Sequence, residues 1–360
     1  MRIGVPKEVK PDEYRVALLP HGVVELVTGG HQVYVERGAG HGVYVNDHAY
    51  RRAGAIVCSK KELYGIAELV VKVKEPVCEE LALLHSDQIL FAFLHLAAEP
   101  LLLATLIKEN VTAIAFETVQ ENSGALPLLA PMSEIAGRMA PQVGAECLLK
   151  KNGGCGVLLG GVPGVSPAQV VIVGGGIVGM NAARIALGMG ADVTMLDVRM
   201  EKLRALDNLF DGRVQMVLSN PSNLADYLSI AHLVIGAALI PGTRTPRIIT
   251  TEIIQGMQLG SVFVDVSIDQ GGCSETSRPT THSKPTYILH DVVHYCVTNM
   301  PGGVALTATR ALSNVTLPYV HELATHGLDW ALSRNRALAR GLNVHKGAIM
   351  HDAVKIAAQV

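Results

Sequence analysis

Two side chains close apolar runs in a manner suited to chemistry. Lys74 ends Val70-Val71-Lys72-Val73-Lys74, and His95 ends Ile89-Leu90-Phe91-Ala92-Phe93-Leu94-His95. If both runs are strands of a parallel sheet, the ammonium and the imidazole face the crevice at its carboxyl edge, where α/β sheets hold ligands. A cation for a carboxylate, beside a group that exchanges protons near neutral pH, is what hydride chemistry on a small amino or hydroxy acid requires. Arg15 offers a second carboxylate clamp, or pairs with Asp12 or Glu13. Asp269 lies three residues past the apolar run 262–266 and before Gln270-Gly271-Gly272, either as a proton-handling group or as a plain turn aspartate. Lys74 equally fits a solvated edge charge, and His95 a hydrogen-bonded core histidine.

A cofactor for such chemistry has its own signature. Gly174-Gly175-Gly176-Ile177-Val178-Gly179 fits G-x-G-x-x-G, after the apolar run Val170-Val171-Ile172-Val173 and before a helix-compatible stretch from Met180 to Met189. Gly174 permits the tight turn, Gly176 lets backbone N–H groups approach a pyrophosphate, and Gly179 lets the helix lie close to the strand. Asp197 ends the next expected strand, about 20 residues on, where an acid accepts hydrogen bonds from the adenosine ribose hydroxyls and favours NAD over NADP.

The elements that must carry these residues alternate. Runs at 2–5, 32–36, 69–73, 89–94 and 111–116 read as strands, with helices near 21–28 and 100–109. A long helix-compatible stretch covers 132–151. Strands are expected again at 170–173, 192–196, 233–236 and 262–266, followed past Pro301 by helices over 305–315 and 318–332 with no further strands. The expected fold is therefore α/β: two Rossmann-like domains with parallel doubly wound sheets, cofactor and substrate in the cleft between them.

With 360 residues and 49% hydrophobic content, the chain has material for two to three domains at ~150 residues each, and disorder is excluded. Thirty Lys and Arg face 32 Asp and Glu, and no basic run exceeds two residues, so no nucleic-acid partner is expected. The uncharged stretch 152–183 carries too many Gly and Pro for a membrane helix, and the charged N-terminus shows no export signal. Six Cys without a CxxC pair point to reduced thiols and a cytoplasmic protein. His290-Asp291-Val292-Val293-His294 imitates a zinc motif but lacks its Glu base; Glu322 and His326, at i and i+4, are conceivable weak ligands for a divalent ion or a solvated pair. No metal is expected.

The chain resembles the bacterial alanine dehydrogenases, a family related to the NAD-binding subunit of proton-translocating transhydrogenase. The resemblance spans nearly the whole sequence: Gly4-Val5-Pro6-Lys7-Glu8 with Arg15, Val71-Lys72-Val73-Lys74-Glu75-Pro76, Leu94-His95-Leu96-Ala97, Pro127 to Ser133, Gly160 to Val165, Val264 to Gly272, and Asn299-Met300-Pro301-Gly302. It implies that Arg15 and Lys74 hold the substrate, that His95 is the proton donor and acceptor, and that Asp269 assists proton transfer and water activation. It further implies cofactor contacts at Ser133, Asp197, Lys202, Ser219, Ala238, Leu239, Val266, Ser267, Ile268, Asp269, Arg278, Val297, Thr298, Asn299 and Met300. The implied activity is reversible oxidative deamination of L-alanine to pyruvate and ammonium with NAD, in a homohexamer. A catalytic domain of residues 1–130 and 305–360 would enclose an NAD domain of 131–304. Ala92-Phe93 stand where the family carries Thr-Tyr, and Gly303 and Ala305 replace its usual residues, which points to reduced activity. The rival readings are a transhydrogenase-like NAD(H)-binding module and a catalytically impaired NAD-binding homologue.

Overall fold

A computed structural model describes residues 1–238 and 245–358. It divides into two compact units: Met1–Met132 with Gly302–Val360, and Ser133–Pro301.

The first unit is built on β1 (Arg2–Val5), β2 (Gln32–Glu36), β3 (Ile56–Cys58), β4 (Leu69–Val71), β5 (Ile89–Ala92) and β6 (Thr112–Ala115). All six pair in parallel in the order β6-β5-β4-β1-β2-β3, so the order reverses between β1 and β4. Crossover helices such as Lys60–Ile66, started by a Ser59/Glu62 capping box, return the chain to the amino edge. β4, β5 and β6 are buried along their whole length, as expected of strands covered on both faces.

The second unit repeats the plan. β7 (Gln169–Val173), β8 (Asp192–Asp197), β9 (Gln215–Leu218), β10 (Leu233–Gly236), β11 (Val262–Asp265), β12 (Thr286–Leu289) and β13 (Val292–Tyr295) lie in the order β12-β13-β11-β10-β7-β8-β9. Among these described strands, only β12 runs antiparallel. Val170, Ile172, Leu233, Ile235, Val262 and Val264 are fully buried in one cluster on a single face, each side chain contributing about 1.5–3 kcal/mol by leaving water.

Three expectations need correction: purely parallel sheets, no strands past Pro301, and one helix over 132–151. The chain does form strands past Pro301: β14 (Leu342–His345) pairs antiparallel with β6, and β15 (Ala348–Ile349) antiparallel with β14. β14 is half-polar and β15 only two residues long, hence neither carries an apolar signature. Both sheets are therefore mixed at one edge and not purely parallel. His290 and Asp291 form a turn with φ 53 and 59 into β13, and His294 is a buried strand residue, so the zinc-like spacing lies on no helix. The 132–151 stretch is a helix over Ala130–Cys147 with Pro141 inside it, followed by a short turn of 3₁₀ helix at Lys150–Asn152. The long helix Ala305–His326 returns to the first unit: Thr309 and Ser313 accept the Val16 and Leu19 amides.

Candidate active site

In the first unit the candidate residues stand on loops at the carboxyl ends of neighbouring strands. Arg15 follows β1, Lys74 lies three residues past β4, and His95 three past β5. The register Val71↔Phe91 and Ala92↔Ala115 brings these exits to one sheet edge. Arg15 is 2% exposed, and Glu13 pins it: Nε donates to Glu13 Oε1 at 2.7 Å and Nη2 to Oε2 at 2.5 Å. Its Nη1 points at Met132 Sδ, 3.1 Å away. The pairing with Glu13 and a substrate role do not compete, since a guanidinium carries five donors and Glu13 uses one edge.

Glu8, from the loop after β1, accepts the amide of Val73 on Oε1 at 2.7 Å and that of Lys74 on Oε2 at 3.4 Å. Glu117, two residues past β6, does the same for the next loop. Its Oε1 accepts the His95 amide at 2.7 Å, and both oxygens receive the Leu94 amide at 3.3 and 3.2 Å. Glu117 Oε1 also lies 4.0 Å from His95 Nδ1. His95 itself sits at φ 48, a left-handed conformation uncommon for a side-chain-bearing residue, and its side chain is 43% exposed. It is not a core histidine.

Phe93 is buried, stacks on the His95 ring at 6.2 Å and meets Phe116 edge-on at 5.1 Å. Ala92 is fully buried among Leu63, Tyr64, Leu90 and Leu94, so this small residue fills core and widens no binding surface.

In the second unit the turn after β7 shows what each glycine does. Gly174 has φ 108, and a Cβ there would fall 2.6 Å from the Ala237 carbonyl; a Cβ on Gly179 would meet the Gly174 carbonyl at 1.9 Å. Around Gly176, among the described residues, the one neighbour within 4 Å of a Cβ is Lys202 Nζ, at 3.9 Å. Gly176 begins the helix Ile177–Gly188 without a side-chain cap, so the amides of Ile177 and Val178 face an open cradle at the positive end of the helix. That cradle fits a pyrophosphate. The Gly137 Cα, on the helix that carries Ser133, packs against the Val178 carbonyl so closely that a Cβ would come to 2.3 Å.

Asp197, ending β8, is 7% exposed. Oδ2 accepts the Gly175 amide and Oδ1 the Arg199 amide, each at 2.9 Å, with Lys202 Nζ and Arg199 Nε both 3.5 Å away. Burial works against its charge, but the Arg199 and Gly175 amides and the Lys202 ammonium outweigh it and hold the carboxyl below the usual range. Burial pushes the Lys202 ammonium down, against Asp197.

The other cofactor candidates also stand at carboxyl ends: Ser219 after β9, Ala238 after β10, Val266 to Asp269 after β11, and Val297 to Met300 after β13. Leu239 lies outside the described residues. Ser267 Oγ donates to the Ala238 carbonyl at 2.6 Å, joining two of these loops. Asp265 is fully buried and shapes the turn carrying Asp269: it accepts the Ser267 amide at 2.9 Å, the Cys273 amide at 2.9 Å and the Ser277 hydroxyl at 2.5 Å. Burial raises its pKa against those three donors. Arg278 places its guanidinium over the Tyr287 ring, 4.1 Å from the centroid.

Sequence reasoning missed Glu8, Glu117 and Asp265 as organisers, whereas Glu13 was one of the two partners it offered for Arg15. Glu8 and Glu117 act over 65 and 22 residues of separation, and nothing local marks them. The suggested ion ligands do other work: Glu322 accepts Asn335 Nδ2 at 2.7 Å, and the His326 ring packs 3.9 Å from that of Trp330. Among the described residues, no three His, Cys, Asp or Glu side chains come together as a metal site.

The chain matches the alanine dehydrogenase/PNT N-terminal domain over residues 4–136 and the corresponding C-terminal domain over 140–352. It is 52% identical to an alanine dehydrogenase of Methanococcus maripaludis over 356 residues, 98% of this chain and 95% of that protein. It is 50% identical to one from Mycobacterium tuberculosis, over 98% and 96% of the two chains. A solved L-alanine dehydrogenase superposes with a TM-score of 0.96 at 50% identity, covering 99% of both chains. A transhydrogenase from Sinorhizobium meliloti shares the fold, at TM-score 0.84 and 24% identity over 98% of this chain and 100% of that one. The chain belongs to the alanine dehydrogenase/PNT family.

Proposed function

We propose that the chain catalyses the reversible, NAD-dependent oxidative deamination of L-alanine to pyruvate and ammonium. The observation that carries this reading is the convergence of Arg15, Lys74 and His95 on adjacent loops of one sheet edge, in a chain about half identical to alanine dehydrogenases over almost its full length.

Arg15 binds the substrate carboxylate through its guanidinium, held rigid by Glu13. Lys74 binds the oxygen that becomes the pyruvate carbonyl. NAD, when bound, supplies the hydride acceptor for the alanine alpha carbon. Gly174, Gly176 and Gly179 with the Ile177 and Val178 amides hold its pyrophosphate, and Asp197 its adenosine ribose. His95 takes a proton from the water that adds to the imine carbon of the oxidised substrate and returns it to the departing amine, with Asp269 assisting. In the reverse direction the same imidazole protonates the substrate oxygen that leaves as water.

The same reading makes the protein a cytoplasmic homohexamer. Free thiols at Cys58, Cys147, Cys155, Cys273 and Cys296 support a reducing compartment. No described helix is long and apolar enough to cross a membrane.

The test is to follow NADH absorbance with pyruvate and ammonium, repeating with NADPH, glyoxylate and 2-oxobutyrate, then L-alanine with NAD in reverse. Ammonium-dependent NADH loss with pyruvate is expected. Tight NADH binding without turnover would overturn the reading in favour of an NAD(H)-binding module. Light scattering at a mass six times that of the chain checks the hexamer.

A further inference from the structure

The mechanism above leaves a fully buried lysine unused. Lys72 is 0% exposed and lies between two carboxylates, 2.7 Å from Glu80 Oε1 and 3.6 Å from Glu8 Oε2. Burying three ionised groups is expensive in solvation, and a hydrophobic residue of similar size often serves stability as well. The arrangement needs another purpose. Beyond Lys72, Glu80 serves structural neighbours: it accepts the Tyr64 hydroxyl at 3.1 Å and the Val77 amide at 3.2 Å. Glu8 is different, because its two oxygens receive the successive amides of Val73 and Lys74.

We propose that Glu8, oriented by Lys72, is a positioning residue that fixes the Lys74 ammonium for the 2-oxo acid. The proposal rests on the assignment of Lys74 to the substrate. Two adjacent amides captured by one carboxylate fix the peptide plane from which the Lys74 side chain departs, and hydrogen bonds to an ionised acceptor are about twice as strong as neutral ones. Glu8 receives both most strongly when ionised. Burial raises its pKa, and Lys72 and the Val73 amide oppose that rise, while Glu13 and Glu80 add to it. Burial alone would discharge Lys72, but Glu8 and Glu80 together keep its pKa above the ordinary value. Lys72, 3.6 Å from Glu8 Oε2, thus favours the ionised form of the group that orients Lys74, two residues further on.

Glu8→Gln and Glu80→Gln form a matched pair. Both replace a buried carboxylate beside Lys72, and only the first touches the Lys74 amide. The carboxamide introduced by Glu8→Gln keeps one acceptor for Val73 and presents an NH₂ to the Lys74 amide and the Lys72 ammonium. The expected result is a rise in KM for pyruvate of about tenfold or more in Glu8→Gln, with NADH affinity unchanged. Glu80→Gln should stay within about twofold in KM while its melting temperature falls. Should Glu8→Gln not fold, Glu8→Asp replaces it: one methylene shorter, it retains the charge but loses reach to the Lys74 amide, and KM should again rise. An equal KM shift in both glutamine variants, or none in the Glu8 variants, overturns the proposal. Absence of pyruvate turnover in the parent would instead refute the proposed reaction, so the two failures are distinct.

Discussion

The carboxylate of Asp269 accepts the backbone N–H of Asn299 at 3.0 Å, tying the turn after β11 to the loop after β13. Asn299 sits at φ 56, so the loop bends sharply where the carboxylate holds it. Asp265 anchors the other end of the same turn through the Ser267 amide. Asp269→Asn keeps an oxygen for the Asn299 amide and removes the charge. If Asp269 handles protons, kcat should fall about 100-fold while the NADH dissociation constant stays within about threefold. Steady-state kinetics with parallel NADH fluorescence titration decides it; an unchanged kcat would remove Asp269 from the proton path.

Glu117 and His95 form the corresponding pair in the first unit. His95→Ala should depress turnover by about 100-fold or more with little change in NADH affinity. Glu117→Ala should lower kcat by about tenfold although it removes no proposed proton-transfer group, because the left-handed His95 backbone loses the acceptor that stabilises it. Glu117→Gln, which retains one acceptor, should fall between Glu117→Ala and the parent. Full activity in Glu117→Ala would show that the loop holds His95 without it.

Much of this architecture was legible because buried parallel strands read as short apolar runs: Val170–Val173, Leu233–Gly236 and Ile89–Ala92 lie where hydropathy puts them. β9 and β12 escaped because edge strands expose side chains and mix polar with apolar residues, as in Gln215-Met216-Val217-Leu218. The glycines were legible because their work is local, within one strand-turn-helix unit, and Asp197 because it ends the next strand at the spacing that unit sets. Glu8, Glu117 and Asp265 were not. Glu8 and Glu117 act by receiving backbone amides from another loop and Asp265 by receiving those of the turn that follows it, and an amide has no residue type to announce it. A recurring device emerges only in three dimensions: at Lys74, His95, Gly175 and Asn299, a carboxylate from a neighbouring strand exit captures the amide of the functional loop.

The glycines separate fold from ligand. Gly179→Ala puts a Cβ 1.9 Å from the Gly174 carbonyl, so the helix must move off β7. It should destabilise the protein by about 1–3 kcal/mol and abolish NADH binding. Gly176→Ala meets only the end of Lys202 among the described residues. Its melting temperature should match the parent within about 2 °C, while NADH binding weakens because the methyl group occupies the pyrophosphate cradle. Calorimetry on both variants, with and without NADH, reads the two effects; undiminished binding by Gly176→Ala would place the pyrophosphate elsewhere.

Asp197 joins cofactor choice to acid stability. Its carboxylate lies between Lys202 and Arg199, cations that would attract a 2′-phosphate once the acid is gone. Asp197→Ser should therefore lose about tenfold in NADH affinity and gain enough for NADPH to shift the preference by about 100-fold. The hydroxyl can serve one of the two amides that Asp197 now satisfies, so some stability is also lost. That loss depends on pH in a fixed sense. Because the folded pKa is held below the ordinary carboxylate value of about 3.9, the ionised group stabilises the folded protein above pH 4 or so, and the contribution fades as pH falls through the folded pKa. The gap in melting temperature between parent and Asp197→Ser should accordingly be constant from about pH 5 to 7 and narrow below about pH 4. A gap that widens on acidification would mean that Asp197 is protonated in the folded state, and the ribose contact assigned to it would need another acceptor.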